Sequence, residues 1–270
     1  MPPDATLSTK QRAELARDGI FNLRDLGGIP VGGGRVVASG RLLRGDSLHR
    51  ARDSAAVLHE LGVVRVLDLR DERERSEEGV LSADGLEVQH HPVIDPMFAW
   101  FDESHDDLST LLAHMYREIL VAFGPRFATA LGSIAEVVAE RRVGAVAYHC
   151  AVGKDRTGLL TALLLGALGA SEDEIVADYV RSARAGAVQL SWLWSLGHPE
   201  GAATDDDLYV GLWSARAETM EHTLEWLQKE FGGAAGYLEQ SGVPAEVVEA
   251  LAVGLVVDPT GQEDVHAAGR

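Results

Sequence analysis

A single cysteine, Cys150, occurs among the 270 residues. One thiol cannot close an intramolecular disulfide, so a disulfide-stapled scaffold is excluded and a reducing, cytoplasmic setting is expected. Lysine is almost as scarce. Lys10, Lys154 and Lys229 stand among 24 basic residues, and arginine supplies the rest. With abundant Ala, Gly and Val, that usage is typical of a GC-rich bacterial genome. No unbroken apolar run reaches the roughly 18 residues of a membrane span, so none is expected. The leading residues carry no apolar signal core, which predicts no cleavable signal and leaves export by another route open. No Pro/Ser-rich linker divides the chain. A single catalytic domain over 21–257 is therefore expected, after a polar lead-in over 1–20 and before a loose tail over 258–270.

Acid is plentiful. The formal net charge is -18, with clusters at Asp71 to Glu78, Asp102 to Asp107 and Asp205 to Asp207. That balance opposes nonspecific binding to nucleic acid or an anionic membrane. "DERERSEE" reads as a solvated helical face.

The hydrophobic pattern alternates between strand and helix, which predicts an α/β layer fold. Glycines within 21–46 mark short strands or a β-ribbon. "VVRVLDL" (63–69) and "VGAVAYH" (143–149) read as buried strands, and Val88 to Val93 as a further one. Residues 9–17 and 51–61 read as helices. Leu111, Leu112, Met115 and Ile119 share one helical spacing, and Phe127, Leu131, Ile134 and Val138 another. Gly124-Pro125 is expected to part these two helices. Ser171 would cap a helix running to about Arg181. Two last helices are expected from Glu218 to Phe231 and from Pro244 to Val257. Residues 185–215, with Trp192, Trp194 and Trp213, read as an insertion that would serve as a lid, or else as ordinary aromatic core.

"AYHCAVGKDRTGLL" (147–160) places the lone cysteine between a strand and a helix, with Arg156 six residues on. A loop there can turn successive N–H groups inward as an anion nest at a helix N-terminus. Nest and helix would stabilise a thiolate. Gly153 would allow a turn or close approach closed to other residues. The planar guanidinium of Arg156 suits bidentate grip on phosphate. A nucleophile beneath a phosphate cradle is the arrangement for phosphoryl transfer through a cysteinyl phosphate. A nucleotide P-loop is rejected, because Tyr148 occupies the first glycine position and Asp155 follows the lysine. His90-His91 lack the spacing of a metal site, so structural histidines are expected there.

"HCAVGKDRTG" resembles the HCxxGKxRTG signature of cysteine-dependent protein tyrosine phosphatases. Its Lys-Asp-Arg form resembles the atypical bacterial tyrosine and lipid phosphatases in particular. "FNLRDLGG", "RLLRGDSL", "VLDLRDERE", "EDEIVADYV" and "FGGAAGYLEQSGV" agree in order, over about 20–257. The resemblance implies a mainly parallel central sheet flanked by helices with a helical lid-like insertion. It also implies a metal-independent, cofactor-free phosphomonoesterase. Its substrate would be a phosphotyrosine protein, with dual or lipid specificity, or else a small phosphorylated metabolite. By position, Cys150 would be the nucleophile and Arg156 the transition-state ligand. Ala151, Val152, Gly153, Lys154 and Asp155 would offer loop amides, with Lys154 adding charge. His149 would orient the loop and favour the thiolate, and Thr157 would donate to the sulfur. Asp155 inherits the general-acid role, with Asp95 in "HPVIDP" as the alternative. Asp68 and Arg70 would either support the loop or pair with each other. Arg24 and Asp25 would serve structural roles. A noncatalytic phosphate-binding module and a rhodanese-like persulfide enzyme are the competing classes, each disfavoured by the intact signature.

Overall fold

The computed structural model describes residues 7–95, 108–140, 144–196 and 213–259. The central sheet is built on β7 (Ala145–Cys150), every residue of which is buried. It lies between β4 (Leu42–Asp46) and β5 (Val63–Asp68), parallel to both. β6 (Glu87–His90) extends the sheet in parallel beyond β5, and β1 (Arg24–Asp25) closes the other edge antiparallel to β4. The order is β1-β4-β7-β5-β6, a mainly parallel sheet as expected.

Strand alternation divides the core in two. Leu42, Leu67, Val146, Tyr148 and Cys150 face one apolar cluster, while Leu43, Val66, Ala145 and Ala147 face the other. The second layer is short: α1 (Thr9–Arg17) and α2 (Ala55–Glu60). The first is thick. It holds α4 (Leu108–Val138), α5 (Asp155–Ala167), α6 (Glu172–Val180), α8 (Ala217–Phe231), α9 (Ala234–Gln240) and α10 (Ala245–Leu255). Each buried Leu or Phe on these faces contributes roughly 1.5–3 kcal/mol of transfer free energy.

The two helices expected across Gly124-Pro125 are present as two helical segments of α4 that meet at a kink at Phe123 (φ -123°, ψ 17°), with Pro125, which has no N–H to donate, just past it. Other expectations are corrected. On length and composition alone, Ser109–Val138 would reach across a bilayer, although charged residues interrupt its apolar runs; half of its most apolar window is buried in this fold. The helix expected at 51–61 covers only Ala55–Glu60. The strand expected at Val88–Val93 covers Glu87–His90. The chain end forms three helices rather than two, because the glycines at 232 and 233 start a short α9 before α10. The 21–46 region does form short strands: β2 (Pro30–Val31) and β3 (Arg35–Val37) pair with each other, and β8 (Val256–Val257) completes a small second sheet.

Asp71 caps α3 (Glu72–Glu78) and shares a reciprocal capping box with Glu74. The insertion at 185–215 begins as α7 (Ser182–Ser195); the rest of it up to 212 lies outside the described residues. So do the acidic runs 102–107 and 205–207, the tail from 260, and residues 1–6.

Candidate active site

Cys150 ends the central strand and is 1% exposed. The loop 151–154 then turns into α5, whose first residue is Asp155. The Gly153 N–H donates to Cys150 Sγ at 3.3 Å. Gly153 has φ +71°, and a Cβ there would lie 2.4 Å from the Gly45 carbonyl oxygen, so both conformation and space require glycine.

The loop's carbonyls are held behind it. Cys150 O accepts from Ser47 N (3.0 Å), and Ala151 O from Ser47 Oγ (2.6 Å) and Gln189 Nε2 (3.2 Å). Val152 O accepts from Asn22 Nδ2 (3.2 Å). Gly153 O accepts from the same amide (3.1 Å) and from Arg44 Nη2 (2.8 Å). Carbonyl and N–H of a peptide point in opposite directions. Fixing the carbonyls therefore turns the amides forward, as an anion nest demands.

Arg44 also donates to Asp178 Oδ2 (2.5 Å), and Arg24 Nε donates to Asp178 Oδ1 (2.8 Å). All three side chains are buried. Burial opposes ionisation of Asp178, but the two arginines override it and hold the carboxyl well below the usual carboxylate range. Burial first, and then Arg44, lowers Arg24 to about 10. Asp25, by contrast, accepts from Gly27 N and Gly40 N and pins the turn before β2. Asp46 accepts from Asn22 N (2.7 Å) and Phe21 N (3.1 Å to Oδ2), and burial raises it to about 6 despite these bonds.

Arg156 is gripped at both Nη atoms by the two carboxylate oxygens of Glu74, Nη2 at 2.7 Å from Oε1. Burial disfavours the Glu74 carboxylate, yet this pairing holds it below its ordinary range. The expectation that "DERERSEE" is a solvated face is thus wrong at Glu74. The capping box sets this residue in the first turn of α3, turned inward, and its Oε2 accepts from Asp71 N (2.9 Å).

Asp155 Oδ1 accepts from Tyr116 Oη (2.5 Å) and lies 3.1 Å from Lys154 Nζ. Tyr116 in turn bonds Tyr179 (2.8 Å), and burial keeps the Tyr116 phenol protonated by raising its pKa well above the ordinary value. Lys154 is buried and also donates to Ser214 O (3.2 Å). Asp95 is half-exposed and takes Arg126 Nη2 at 2.6 Å.

His149 Nδ1 contacts the Cys150 carbonyl oxygen (3.0 Å), while Nε2 lies 3.8 Å from Asp68 Oδ1. Burial lowers its pKa to about 4, so the ring is neutral near pH 7. Asp68 and Arg70 pair with each other (2.8 Å), the second of the two readings, and Leu69 N between them donates to His149 O. The Thr157 hydroxyl is buried with no hydrogen-bond partner among the described residues. His90 and His91 bond Arg70 O and Gln89 Oε1, as structural histidines. Trp192 packs edge-on to Phe21.

A model of the tyrosine phosphatase family matches residues 15–257. A Cupriavidus necator protein, provisionally named a tyrosine-protein phosphatase, is 30% identical over 243 residues, covering 88% of this chain and 87% of that one. The triple specificity protein phosphatase PtpB of Mycobacterium tuberculosis is 28% identical over 271 residues, covering 86% of this chain and 95% of its own. A solved structure of a P. aeruginosa TpbA variant in complex with pTyr covers 71% of this chain and 89% of its own, at 17% identity and a TM-score of 0.30.

Two outcomes follow from the buried charges. Asp178→Asn leaves Arg24 and Arg44 without their counter-charge and should cost about 3–5 kcal/mol in urea unfolding. A loss under 1 kcal/mol would mean the arginines find another partner. Asp46 and His149 act oppositely on acid stability. The folded pKa of His149 lies below its unfolded value, so its contribution is complete above pH ~6.5 and lost as pH falls through about 4. The folded pKa of Asp46 lies above its unfolded value, so its contribution is present below pH ~3.9 and lost as pH rises through about 6. Asp46→Asn removes the opposing effect. The stability lost between pH 6.5 and 4.5 should then exceed the wild-type loss by on the order of 2 kcal/mol. An unchanged slope would place the Asp46 titration at an ordinary carboxylate value.

Proposed function

The chain belongs to the tyrosine phosphatase family, and from that membership we propose that it hydrolyses phosphotyrosine through a phosphate ester of Cys150. It is a cysteine-dependent phosphatase acting on a phosphorylated substrate. The observation that best supports the residue roles is the loop itself, with its carbonyls tied back and one amide already on the Cys150 sulfur at 3.3 Å.

The Cys150 thiolate attacks phosphorus in line, and the bond to the leaving oxygen breaks. Loop amides and Arg156 bind the three equatorial oxygens, which carry the charge of the transition state. Glu74 holds the Nη1–Nη2 edge of Arg156, so a phosphate would take the Nε–Nη2 edge. Asp155 gives its proton to the leaving alcohol. Because Tyr116 and Lys154 occupy Oδ1, that proton travels on Oδ2. In the second step water attacks the phosphocysteine, Asp155 takes the water's proton, and phosphate leaves as the thiolate is restored. Thr157, with its buried hydroxyl beside the loop, would donate to the returning sulfur. Asp95, held by Arg126, is not used.

The name of the mycobacterial relative records triple specificity, which supports testing more than one class of ester. Phosphate release should be assayed in EDTA from a phosphotyrosine peptide, a phosphoserine peptide, a phosphoinositide and several sugar and nucleotide phosphates. Turnover of the phosphotyrosine peptide that disappears in Cys150→Ser is expected. Preference for a sugar or nucleotide phosphate would instead assign a metabolite phosphatase, and rescue by added metal would overturn the mechanism. Asp155→Asn should lower kcat by ~10²–10⁴ on alkyl and aryl esters with basic leaving groups. It should matter far less for p-nitrophenyl phosphate, whose leaving group departs without a proton. Equal losses on both would remove Asp155 from the acid role.

A further inference from the structure

A second concavity lies away from the mouth of the catalytic loop. A cleft of about 730 Å³ opens between α1, the stretch before β1, and the α6–α7 junction. Arg12, Arg24, Arg181 and Arg184 line it, and no acidic residue is among the described residues that do. In a chain with 42 acidic residues against 24 basic ones, such a lining inverts the average surface. Arg24 is committed to Asp178 behind the wall, whereas Arg12 and Arg184 are exposed and Arg181 is partly so.

The rest of the cleft is apolar, and it continues. Phe21 and Val188 line both it and a neighbouring hollow of about 440 Å³ whose wall includes Trp192. Residues 181, 184, 188 and 192 recur at three- and four-residue spacing, so they form one stripe of α7. Along that stripe the character changes from guanidinium to aliphatic to indole. Val180 and Val188 remain 38% and 44% exposed, an apolar surface that water covers at a cost. The volume suits a small molecule, since ligand pockets run to roughly 300–1,000 Å³.

We propose that this groove binds an amphiphilic anion: a carboxylate or phosphate head held by Arg181, Arg184 and Arg12, with an apolar body laid over Phe21 and Val188 toward Trp192. Arginine matches either head bidentately, and the shared requirement is one anionic group on a lipid-sized apolar chain. The site is separate from the catalytic cradle and does not rest on the proposed chemistry. Asn22 and Arg24, on its wall, face the rear of the loop rather than the sulfur.

The test is equilibrium binding of 11-(dansylamino)undecanoate to the full chain, followed by dansyl fluorescence, with saturating inorganic phosphate present to fill the catalytic loop. Saturable binding at one probe per chain is expected, displaced by dodecanoate and by monododecyl phosphate but not by dodecanol. Arg181→Glu/Arg184→Glu should weaken it about tenfold or more, the equivalent of 1.4 kcal/mol, and Val188→Lys should weaken it as well. The circular dichroism spectrum and the unfolding midpoint of each variant establish that it is folded. Equal binding by the charge-reversed variant, equal displacement by dodecanol, loss of binding on adding phosphate, or binding to phosphatidylglycerol vesicles without binding of the monomeric probe would each overturn the proposal.

Discussion

A loop that offers its amides to an anion must put its carbonyls somewhere, and the rest of this site depends on where they go. Ser47, Gln189, Asn22 and Arg44 receive them, from three separate stretches of chain. A buried carbonyl without a donor costs roughly 1–3 kcal/mol, so each of these contacts fixes one peptide plane. Glycine at 153 completes the turn because the Gly45 carbonyl passes where a Cβ would sit. The cradle's shape is therefore set from behind, by groups that never meet the substrate.

Those groups are themselves anchored. Arg44 reaches the loop only because Asp178 fixes its other nitrogen, and Asp178 is fixed in turn by Arg24. The buried cluster joins β1, β4 and α6 to the rear of the loop. Burying three charges is costly and does not by itself argue for stability. What it supplies is a single geometry, since moving any member strands a charge in the interior. On the opposite side Glu74 does the same for Arg156. The guanidinium of Arg156 is thus held in one orientation at the start of α5.

The sequence disclosed the parts of this site that are local and withheld those that are not. Cys150, Gly153 and Arg156 lie within seven residues, and a strand–loop–helix reading is enough to place them around one point. The parallel strands at 63–69 and 143–149 were legible from their β-branched apolar runs. Glu74 was not, because a charged octet reads as solvated unless the fold is known to lay α3 against Arg156; the Asp71-to-Glu74 capping spacing was the one available signal that its first turn is ordered. Asn22, Arg44 and Asp178 stand inside stretches whose family resemblance was visible while their roles were not, since those roles are contacts across more than a hundred positions. Nor could the sequence pair Asp155 with Tyr116 or Asp95 with Arg126, since both are contacts across more than thirty positions. The glycines of 21–46 announced the short strands β2 and β3, but their pairing with β8 was not legible, as a strand of two residues more than two hundred positions away has no period to detect.

Lysine at 154 is the one buried lysine of the three in the chain, and the geometry gives a reason. Its ammonium lies 3.1 Å from Asp155 Oδ1, the same oxygen that Tyr116 holds at 2.5 Å. Both donors act on one oxygen and leave the carboxyl group its other oxygen for a proton. An arginine would present two parallel N–H groups and tend to bridge both oxygens, as Arg156 does with Glu74. The bidentate grip that Arg156 makes on Glu74 would thus, at position 154, close both oxygens of Asp155. A point charge on a flexible stem restrains Asp155 at one oxygen and leaves the other open, so the two positions that flank Asp155 carry the two cations that are least interchangeable.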